Sequence, residues 1–570
     1  MRDSLSLNKL IIILIGIVLA MNFFGTLFPI LREDDAVLYA NIAKHMVQSH
    51  NWIDLYSLDN QSWLDKPHFV FWMVALSFSI FGIHSFAYVL PGFIFYVVGG
   101  VYTYKLTYKL YPNKQVALLA ILIYFSNFHS MLCAVDVRAE AYLMGEIMAA
   151  CYYWYCYDQD SDKSARNLFL GAVFTACALM TKGLFVLVTI FSGLFALWVY
   201  NKRWIKTVFS PRWLIAFILS FIFILPELFA LYHQFDLHPE LTVFDHQGVS
   251  GVKWFFWDSQ FGRFFNNGPI KVAPKNFAHY FYFMHTFLWS FLPWSMIFLV
   301  YLFDLIKGKY IGEIRSDPHK KTNPKGNQVF LLSSFFATFI VFSISVFQLD
   351  YYICILLPFA AILCANWLIQ VKNSQRQISW LWGFQVWLSI VLTLLVIGLS
   401  IFIFGHKWTF LIILVGIIIV ITYLAFAHVD GVIKSIVHPV LAIGITFIFL
   451  MIIYGRVYAK YDLGYQVAQT LNSNPNIPVV DYQVRSLTLG FYAKGKYIQV
   501  MNLQQLKQMP QGYYLLVDAE NLPKVMEVFK SHALVKYQYE ATTIDKLMKY
   551  ILVIPKLEKH LDHYAVLYIN

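Results

Sequence analysis

Runs of about 20 apolar residues recur along this sequence, for example at 10–31, 213–231 and 380–404. A helix of that length crosses the hydrocarbon core of a bilayer and satisfies its backbone hydrogen bonds internally. Of the 570 residues, 59% are hydrophobic and only 13% are charged, which is more apolar surface than a soluble chain buries. The sequence therefore predicts a polytopic α-helical membrane protein.

The formal charge of +11 does not indicate a nucleic-acid partner, because the basic residues form no single patch. They stand in short segments between apolar runs, which is the positive-inside pattern of cytoplasmic loops. These residues are Lys105, Lys109, Lys114, Lys202, Arg203, Lys206, Lys307, Lys309, Arg315, Lys320, Lys321 and Lys325. The first apolar run is too long for a typical signal peptide, so we predict a retained helix with its N-terminus inside.

Counting crossings from these basic segments predicts about 13 transmembrane helices within 1–456, including single spans at 277–306 and 408–428. Two long outer loops result, 32–68 and 233–276. Beyond 456 the composition becomes that of a soluble domain, and 457–570 is predicted to be a small outer α/β domain. Its predicted strands lie at 478–482, 497–501, 513–518 and 550–554, and its helix at 521–532.

The six cysteines all lie in or beside apolar spans. None lies in the long polar loops or in the C-terminal region, and no CxxC spacing occurs, so no disulfide framework or cysteine metal site is predicted. They are interpreted as small buried apolar side chains.

Three acids, Glu33, Asp34 and Asp35, follow the first apolar run at the predicted outer surface. One interpretation is a solvated helix cap, because outer loops tolerate acids. The functional interpretation is a carboxylate that acts as a general base or orients an acceptor. Later in the same loop, Asp65 and Lys66 are either a local ion pair or part of a cleft in which Lys66 receives a phosphate.

Asp136, Arg138 and Glu140 stand at the outer start of an otherwise apolar span. Asp136 and Glu140 are four residues apart and therefore share one helical face. Ionisable residues at the edge of a span are costly to place there, so they indicate a functional site. Glu146 lies deeper in the same span and needs a partner that the sequence does not identify.

Isolated cations mark two further outer segments. Lys182, in Thr181-Lys182-Gly183, divides two apolar stretches that predict a tight hairpin with its turn outside; snorkelling to lipid phosphates is the alternative. Arg263 lies in the aromatic segment 254–264, which fits either an interfacial helix or a groove for a lipid-linked phosphate. Acids and cations on one side of the membrane together fit transfer from a lipid phosphate, in which the cations hold the leaving group.

The order of these motifs resembles that of the polyprenyl-phosphate-dependent glycosyltransferases of the GT-C class, over residues 10–370. The family includes the protein O-mannosyltransferases and, more closely similar to this chain, the bacterial aminoarabinose transferases that modify lipid A. Asp35 before Tyr39-Ala40 matches the catalytic acid of this family, and Glu140 matches its second outer acid. The resemblance implies substrate-binding roles for Asp34, Asp65, Lys66, Asp136, Arg138, Lys182, Trp257, Arg263 and Tyr352.

The chain also departs from the aminoarabinose transferases. Those enzymes have lysines in the segment that matches 346–350, where this chain has none, and an acid where this chain has Ala36. An arginine expected shortly after Phe86 is missing as well. These departures concern the identity of the sugar and the acceptor more than the class of reaction.

By resemblance, the protein transfers a sugar, such as an amino sugar, from undecaprenyl phosphate to lipid A or another glycoconjugate, at the periplasmic face of a bacterial inner membrane. The alternatives are a protein O-glycosyltransferase and a transporter or flippase of a lipid-linked substrate. Transporters place their ionisable sites near the bilayer midplane, whereas the charges here lie at its predicted outer edge. The sequence leaves open whether a divalent cation is a cofactor. The outer acids, His68 and His279 are available as ligands, but no ligand spacing indicates a metal site.

Overall fold

The computed structural model describes residues 2–27, 31, 35–58, 61–159, 164–272, 277–308, 323–374, 378–404, 431–542 and 559–570. The predicted span at 408–428, the predicted strand at 550–554 and the candidate residue Asp34 lie outside these ranges. The described chain is a helical bundle followed by one mixed β-sheet.

The bundle is built from eighteen helices before residue 405 and a long one after residue 430, within the described ranges. Their bounds are α1 (Arg2–Gly25), α2 (Asp35–Ser49), α3 (Phe69–Phe81), α4 (Ser85–Leu110), α5 (Lys114–Phe125), α6 (Phe128–Cys133), α7 (Ala139–Gln159), α8 (Ser164–Lys182), α9 (Val186–Tyr200), α10 (Trp204–Val208), α11 (Pro211–Ile222), α12 (Leu225–Leu231), α13 (Gly251–Lys253), α14 (Tyr282–Ser290), α15 (Ser295–Ile306), α16 (Pro324–Ile344), α17 (Leu357–Asn373), α18 (Ser379–Phe404) and finally Gly431–Ile452. Turns of π-helix occupy Tyr232–Asp236, Trp254–Gly262 and Ile453–Tyr458, and 3₁₀ turns occupy Phe277–Phe281 and Asp350–Leu356.

Eight of the described helices are long and apolar enough to cross a membrane, or nine if one bent pair counts as a single span. Three shorter apolar helices, α3, α5 and α9, accompany them. The protein is therefore a multi-pass membrane protein, as predicted. The total of 13 crossings stays a prediction, because part of the chain lies outside the described ranges.

The segment predicted as one span at 277–306 is instead two helices, α14 and α15, bent by 118°. Pro293 lies in the break between them, and proline cannot continue a helical hydrogen-bond ladder. Other helices satisfy the carbonyl groups that the break leaves free. The Phe128 N–H donates to the Leu292 carbonyl at 2.9 Å, and the Gln385 amide donates to the Pro293 carbonyl at 3.0 Å.

The first predicted outer loop contains α2, a helix whose face of apolar and small residues is buried against the bundle. Helix α3 follows, and its Phe69 contacts Phe95 of α4 and Tyr142 of α7. Helix α3 therefore starts beside the bundle interior and turns back into α4 at Gly82, where φ is +88°. Together these elements place the N-terminus of α2 and the loop before α3 at one end of α7.

The C-terminal sheet has five strands in the order β4-β3-β5-β7-β6. Strand β3 pairs in parallel with β4 and β5, whereas β7 pairs antiparallel with β5 and β6. The bounds are β3 (Val479–Tyr482), β4 (Tyr497–Val500), β5 (Tyr513–Asp518), β6 (Ala533–Ala541) and β7 (Asp562–Ile569), after the two-residue strands β1 (Thr242–Val243) and β2 (His246–Gln247) of the second outer loop. Short helices at Ala459–Tyr461, Leu463–Leu471, Leu487–Tyr492, Leu503–Lys507 and Leu522–Phe529 connect or flank these strands, and a 3₁₀ turn follows at Lys530–His532.

This sheet confirms the predicted α/β character, with three predicted strands and the predicted helix near their expected positions. Sequence patterns did not predict β6 and β7. Most of the β6 residues are exposed, so its sequence lacks the buried apolar run on which the prediction relied. The boundary at 456 between the two parts stays a prediction.

Candidate active site

Five segments meet at the end of the bundle where α7 begins. They are the 61–68 loop, the start of α7, the α8–α9 turn, the Trp254–Gly262 π-helix with Arg263, and the Asp350–Leu356 turn. Between them lies a cavity of about 90 Å³. Five of its charged lining residues were predicted from the sequence, and they are Asp65, Lys66, Glu140, Lys182 and Arg263.

Asp65 lies between two of the cations. Its carboxylate accepts hydrogen bonds from both Lys66 and Arg263. Burial raises the pKa of Asp65, but the charges of Lys66 and Arg263 outweigh this effect and hold the pKa well below its usual range. Asp65 is therefore ionised at neutral pH and keeps the two cations at fixed positions on the cavity wall.

Lys182, at the end of α8, forms an ion pair with Glu140, near the start of α7. The Glu140 side chain is 1% exposed and the Lys182 side chain is 19% exposed, so of this pair mainly the cation is accessible from the cavity that both residues line. The Lys182 Nζ also lies 3.8 Å from the centre of the Tyr352 ring. A cation held between a buried carboxylate and an aromatic face is available to an anion that enters the cavity.

Most of the rest of the cavity wall is apolar. Arg263 lies beneath aromatic rings, with its guanidinium carbon 5.4 Å from the Trp254 ring centre and 5.3 Å from the Phe347 ring centre. Phe347 belongs to the segment in which the aminoarabinose transferases have lysines. Further apolar lining residues are Leu143, Phe185, Val186, Leu231, Phe255, Phe264, Val341, Phe342 and Ile355. Cations set in an apolar cavity fit a ligand with a phosphate head and a hydrocarbon tail.

A second charged cluster lies around Tyr351. The Tyr351 hydroxyl donates to Asp35 Oδ2 at 3.4 Å, and Arg138 Nη1 lies 3.7 Å from the same oxygen. Arg138 Nη2 lies 3.7 Å from Asp136 Oδ2. Asp35 is 35% exposed at the start of α2, and none of these three charged residues lines the cavity. The predicted residues therefore form two groups, one around the cavity and one around Asp35.

Tyr351 joins the two groups, and sequence reasoning did not identify it. Its ring lies 4.6 Å from the Arg138 guanidinium carbon and 5.5 Å from Lys182 Nζ. The predicted site residue Tyr352 is its immediate neighbour. The dipeptide Tyr351-Tyr352 after an acid was the available signal, but a single sequence does not show which tyrosine faces which group.

Gln260, to which the sequence analysis gave no role, and Thr181, of the Thr181-Lys182-Gly183 motif, support this site. The Gln260 amide donates to the Lys182 carbonyl at 3.3 Å and accepts from the Phe185 N–H at 3.3 Å, which holds the α8–α9 turn. The Thr181 hydroxyl donates to Glu146 Oε1 at 3.0 Å and is the partner that Glu146 required. Both contacts fix the main chain on either side of Lys182.

Trp257 does not join the other predicted residues. Its side chain is 57% exposed, contacts the Phe261 ring with 4.9 Å between ring centres, and does not line the cavity. This position suits a side chain that anchors an interfacial helix, which was one of the two interpretations of the segment 254–264.

Among the described residues, the metal-capable side chains do not form a group with the geometry of a zinc centre. His68 Nδ1 lies 3.1 Å from Glu227 and Nε2 lies 2.8 Å from the Ile53 carbonyl, so both ring nitrogens are engaged. Within the described ranges, His129, Cys133 and Cys354 do come together, with ligand atoms inside 4.8 Å. The two sulfurs are 2.9 Å apart, however, whereas tetrahedral Zn²⁺ separates two thiolates by about 3.8 Å. We assign no metal to this group.

A family model described as dolichyl-phosphate-mannose-protein mannosyltransferase matches residues 65–229 of the chain. A relative from Photorhabdus laumondii, named undecaprenyl phosphate-alpha-4-amino-4-deoxy-L-arabinose arabinosyl transferase, is 25% identical over 418 residues, which are 70% of this chain and 68% of the relative. An enzyme from Proteus mirabilis with the same name and the number 2 is 26% identical over 353 residues, 60% of this chain and 57% of that one.

The fold is similar to that of ArnT from Cupriavidus metallidurans in a crystal structure bound to undecaprenyl phosphate. The TM-score is 0.71 at 14% identity, and the match covers 98% of both chains. The apo crystal structure of the same protein gives a TM-score of 0.69. These comparisons confirm the predicted GT-C fold class and the resemblance to polyprenyl-phosphate-dependent glycosyltransferases.

Proposed function

We propose that this protein is a glycosyltransferase that moves an amino sugar from undecaprenyl phosphate to lipid A, at the periplasmic face of a bacterial inner membrane. The observation that carries the proposal is the cavity with three cations, Lys66, Lys182 and Arg263, in an otherwise largely apolar wall. The printed names of the Photorhabdus and Proteus relatives supply the sugar, 4-amino-4-deoxy-L-arabinose, and its carrier, undecaprenyl phosphate.

The donor is expected to bind with its phosphate among these cations and its polyprenyl chain along the phenylalanine wall. Lys182 provides a compact charge, and the Arg263 guanidinium offers parallel donors to phosphate oxygens. During transfer, the bond between the sugar C1 and the donor phosphate oxygen breaks, and undecaprenyl phosphate leaves with that electron pair. The cations stabilise the charge that develops on this phosphate.

Asp35 is proposed to act on the acceptor side. If the acceptor is a lipid A phosphate, its oxygen is already nucleophilic, and the Asp35 carboxylate orients it or the amine of the sugar. If the acceptor is a hydroxyl, Asp35 takes its proton as a general base while the new bond to C1 forms. Arg138 and the Tyr351 hydroxyl both contact the Asp35 carboxylate and fix its position beside the residues that line the cavity.

The periplasmic orientation is part of the proposal. The basic segments at 105–114 and 202–206 lie at the ends of α4 and α9 that are remote from the cavity. By the positive-inside rule those ends face the cytoplasm, so the cavity opens toward the periplasm.

A protein acceptor is the second candidate, because the family model that matches 65–229 describes protein mannosyltransferases. The two candidates share the donor carrier and the cavity cations and differ only in the acceptor. They therefore predict the same effects of substitutions in the cavity and different modified products.

The test is mass spectrometry of lipid A from cells with the gene, without it, and with Asp35→Asn. We expect the gene to add the mass of an amino pentose to lipid A, and we expect Asp35→Asn to lose this product although the protein is still made. Asp245→Asn, an exposed acid in the second outer loop, is the matched control and should retain the product.

Unchanged lipid A together with a new sugar on secreted proteins would favour the protein acceptor. Full activity of Asp35→Asn would contradict the proposed role of Asp35 in the site.

A further inference from the structure

Lys44 is a buried lysine that lies outside the candidate active site. It is the tenth of the 15 residues of α2, and it is 9% exposed. Its ammonium donates to three main-chain carbonyls of the C-terminal region: Gly490 at 2.8 Å, Phe491 at 3.0 Å and Ala493 at 3.0 Å. All three hydrogen bonds of the ammonium therefore connect the membrane bundle to the sheet region.

These carbonyls belong to the end of the Leu487–Tyr492 helix. The last carbonyls of a helix lack intrahelical partners and carry its partial negative charge, so a cation there is favourable. Within the described ranges, Lys44 forms no ion pair with a carboxylate, and burial lowers its pKa to about 8. A buried charge is costly unless it is fully hydrogen-bonded, so these three bonds account for the lysine. A methionine would fill the same space without them.

The same small helix touches the bundle at further points. The Asn41 amide, one turn before Lys44, donates to the Leu487 carbonyl at 2.9 Å. The Tyr492 hydroxyl accepts from the Leu31 N–H at 2.9 Å. Gly490 packs so closely on Leu58 that an added Cβ would lie 2.4 Å from a Leu58 methyl carbon. The Leu487–Tyr492 helix is thus fixed against α2 and against the segments on both sides of it.

Helix α2 also carries Asp35, at its first residue. Lys44 follows nine residues later, which is about 13.5 Å along a continuous helix. A helix of this length moves as a rigid rod, so a shift at Lys44 reaches Asp35. Displacements of about 1 Å in a reacting group are enough to slow catalysis strongly.

We propose that Lys44 is a positioning residue: by capping the Leu487–Tyr492 helix, it makes the C-terminal region hold α2, and with it Asp35, in register with Tyr351 and the cavity cations. This inference rests on the proposed function of Asp35. It assigns a role to the C-terminal region, for which the sequence indicated none.

The test compares Lys44→Met, Lys44→Arg and the control Lys494→Met, which removes an exposed lysine from the neighbouring segment. Transfer is measured on purified full-length protein with an undecaprenyl-phosphate-linked amino sugar and lipid A. We expect Lys44→Met to lower kcat at least tenfold while KM for the donor stays within twofold, because the cavity cations are untouched. Lys44→Arg should recover a third or more of the lost rate, and Lys494→Met should match wild type.

Hydrogen exchange provides a readout that needs no activity. In Lys44→Met, the amides of residues 36–49 and 487–493 should exchange at least tenfold faster than in wild type, whereas those of β5 should not change. If Lys44→Met does not yield folded protein, Asn41→Ala takes its place with the same two measurements.

If these segments of Lys44→Met exchange hydrogen at the wild-type rate, the docking role of Lys44 is overturned. Faster exchange with unchanged kcat would overturn its effect on Asp35. A wild-type protein without transferase activity would contradict the proposed function, and hydrogen exchange would then still decide whether Lys44 holds the two regions together.

Discussion

At the scale of single residues, the cavity cations are all held by carboxylates. Lys182 pairs with Glu140, and Lys66 and Arg263 share Asp65. Buried charges are tolerated when they are paired, and removing one partner leaves the other uncompensated. The carboxylates therefore do two things: they orient the cations before the donor arrives, and they leave part of each cation's hydrogen-bonding capacity for its phosphate.

This pairing predicts how substitutions at Lys182 and Glu140 combine. Lys182→Met should destabilise the protein by about 3 kcal/mol, because it leaves the Glu140 carboxylate buried and unpaired. The double variant Lys182→Met/Glu140→Gln should recover most of that stability, since neither side chain is then charged. Both variants should lose transferase activity about 100-fold or more, because the phosphate has lost a cation.

The measurements are thermal unfolding in detergent and the rate of transfer. Recovery of activity in the double variant would show that Lys182 serves only to neutralise Glu140. Failure to recover stability would show that the two side chains are not coupled.

At the scale of elements, the α8–α9 turn determines where Lys182 points. Gly183 follows it with φ of +89°, a conformation that favours glycine. Gln260, from the π-helical segment Trp254–Gly262, hydrogen-bonds to the main chain on both sides of this glycine. The turn is thus locked by a side chain 77 residues away in the sequence, and a methyl group at Gly183 would lie 2.2 Å from the Gln260 amide nitrogen.

Gly183→Ala and Gly82→Ala form a matched pair for this turn. Both glycines have φ near +88°, so each substitution should cost about 1–3 kcal/mol of backbone strain. Only at Gly183 does the new methyl displace a neighbour, because the nearest atom at Gly82 is 3.9 Å away. We expect Gly183→Ala to unfold at a lower temperature than Gly82→Ala and to lose most activity, while Gly82→Ala stays active. Equal effects in unfolding and transfer assays would contradict the role of Gln260.

At the scale of the whole molecule, the chain brings distant parts to one end of the bundle. Tyr351 and Asp35 are 316 residues apart in the sequence, and Lys44 and Gly490 are 446 apart. The basic segments at 105–114 and 202–206 lie at the opposite end. This polarity is the basis of the proposed orientation, in which the site and the C-terminal sheet face the periplasm.

Reporter fusions test that orientation directly. Alkaline phosphatase folds only in the periplasm, so a fusion after Asn570 should be active, and a fusion after Lys202, in a predicted cytoplasmic segment, should be inactive. Green fluorescent protein exported in unfolded form is dark, so it should give the reverse pattern at the same two positions. An active phosphatase at Lys202 would invert the proposed topology.

The sequence by itself determined the class of the molecule and the identity of most cavity charges. The length of an apolar run and the positions of the lysines between the runs are local properties of the sequence. The bilayer constrains both directly. For the same reason Asp65, Lys66, Glu140, Lys182 and Arg263 could be found one by one: a charge in or beside an apolar segment is costly wherever the fold places it. The strands β3, β4 and β5 were recognisable through their apolar residues.

Only the tertiary structure decided which of these residues meet. The cavity cations and the Asp35–Arg138 pair form two separate groups, and Trp257 lies at the surface. Tyr351, Gln260 and Lys44 contact these groups or the elements that carry them. These contacts depend on how helices pack and where a span such as 277–306 breaks, and neither is encoded in local composition. No local sequence pattern around Lys44 indicates that it caps another helix more than 400 residues later. That function exists only once the C-terminal region has docked on the bundle.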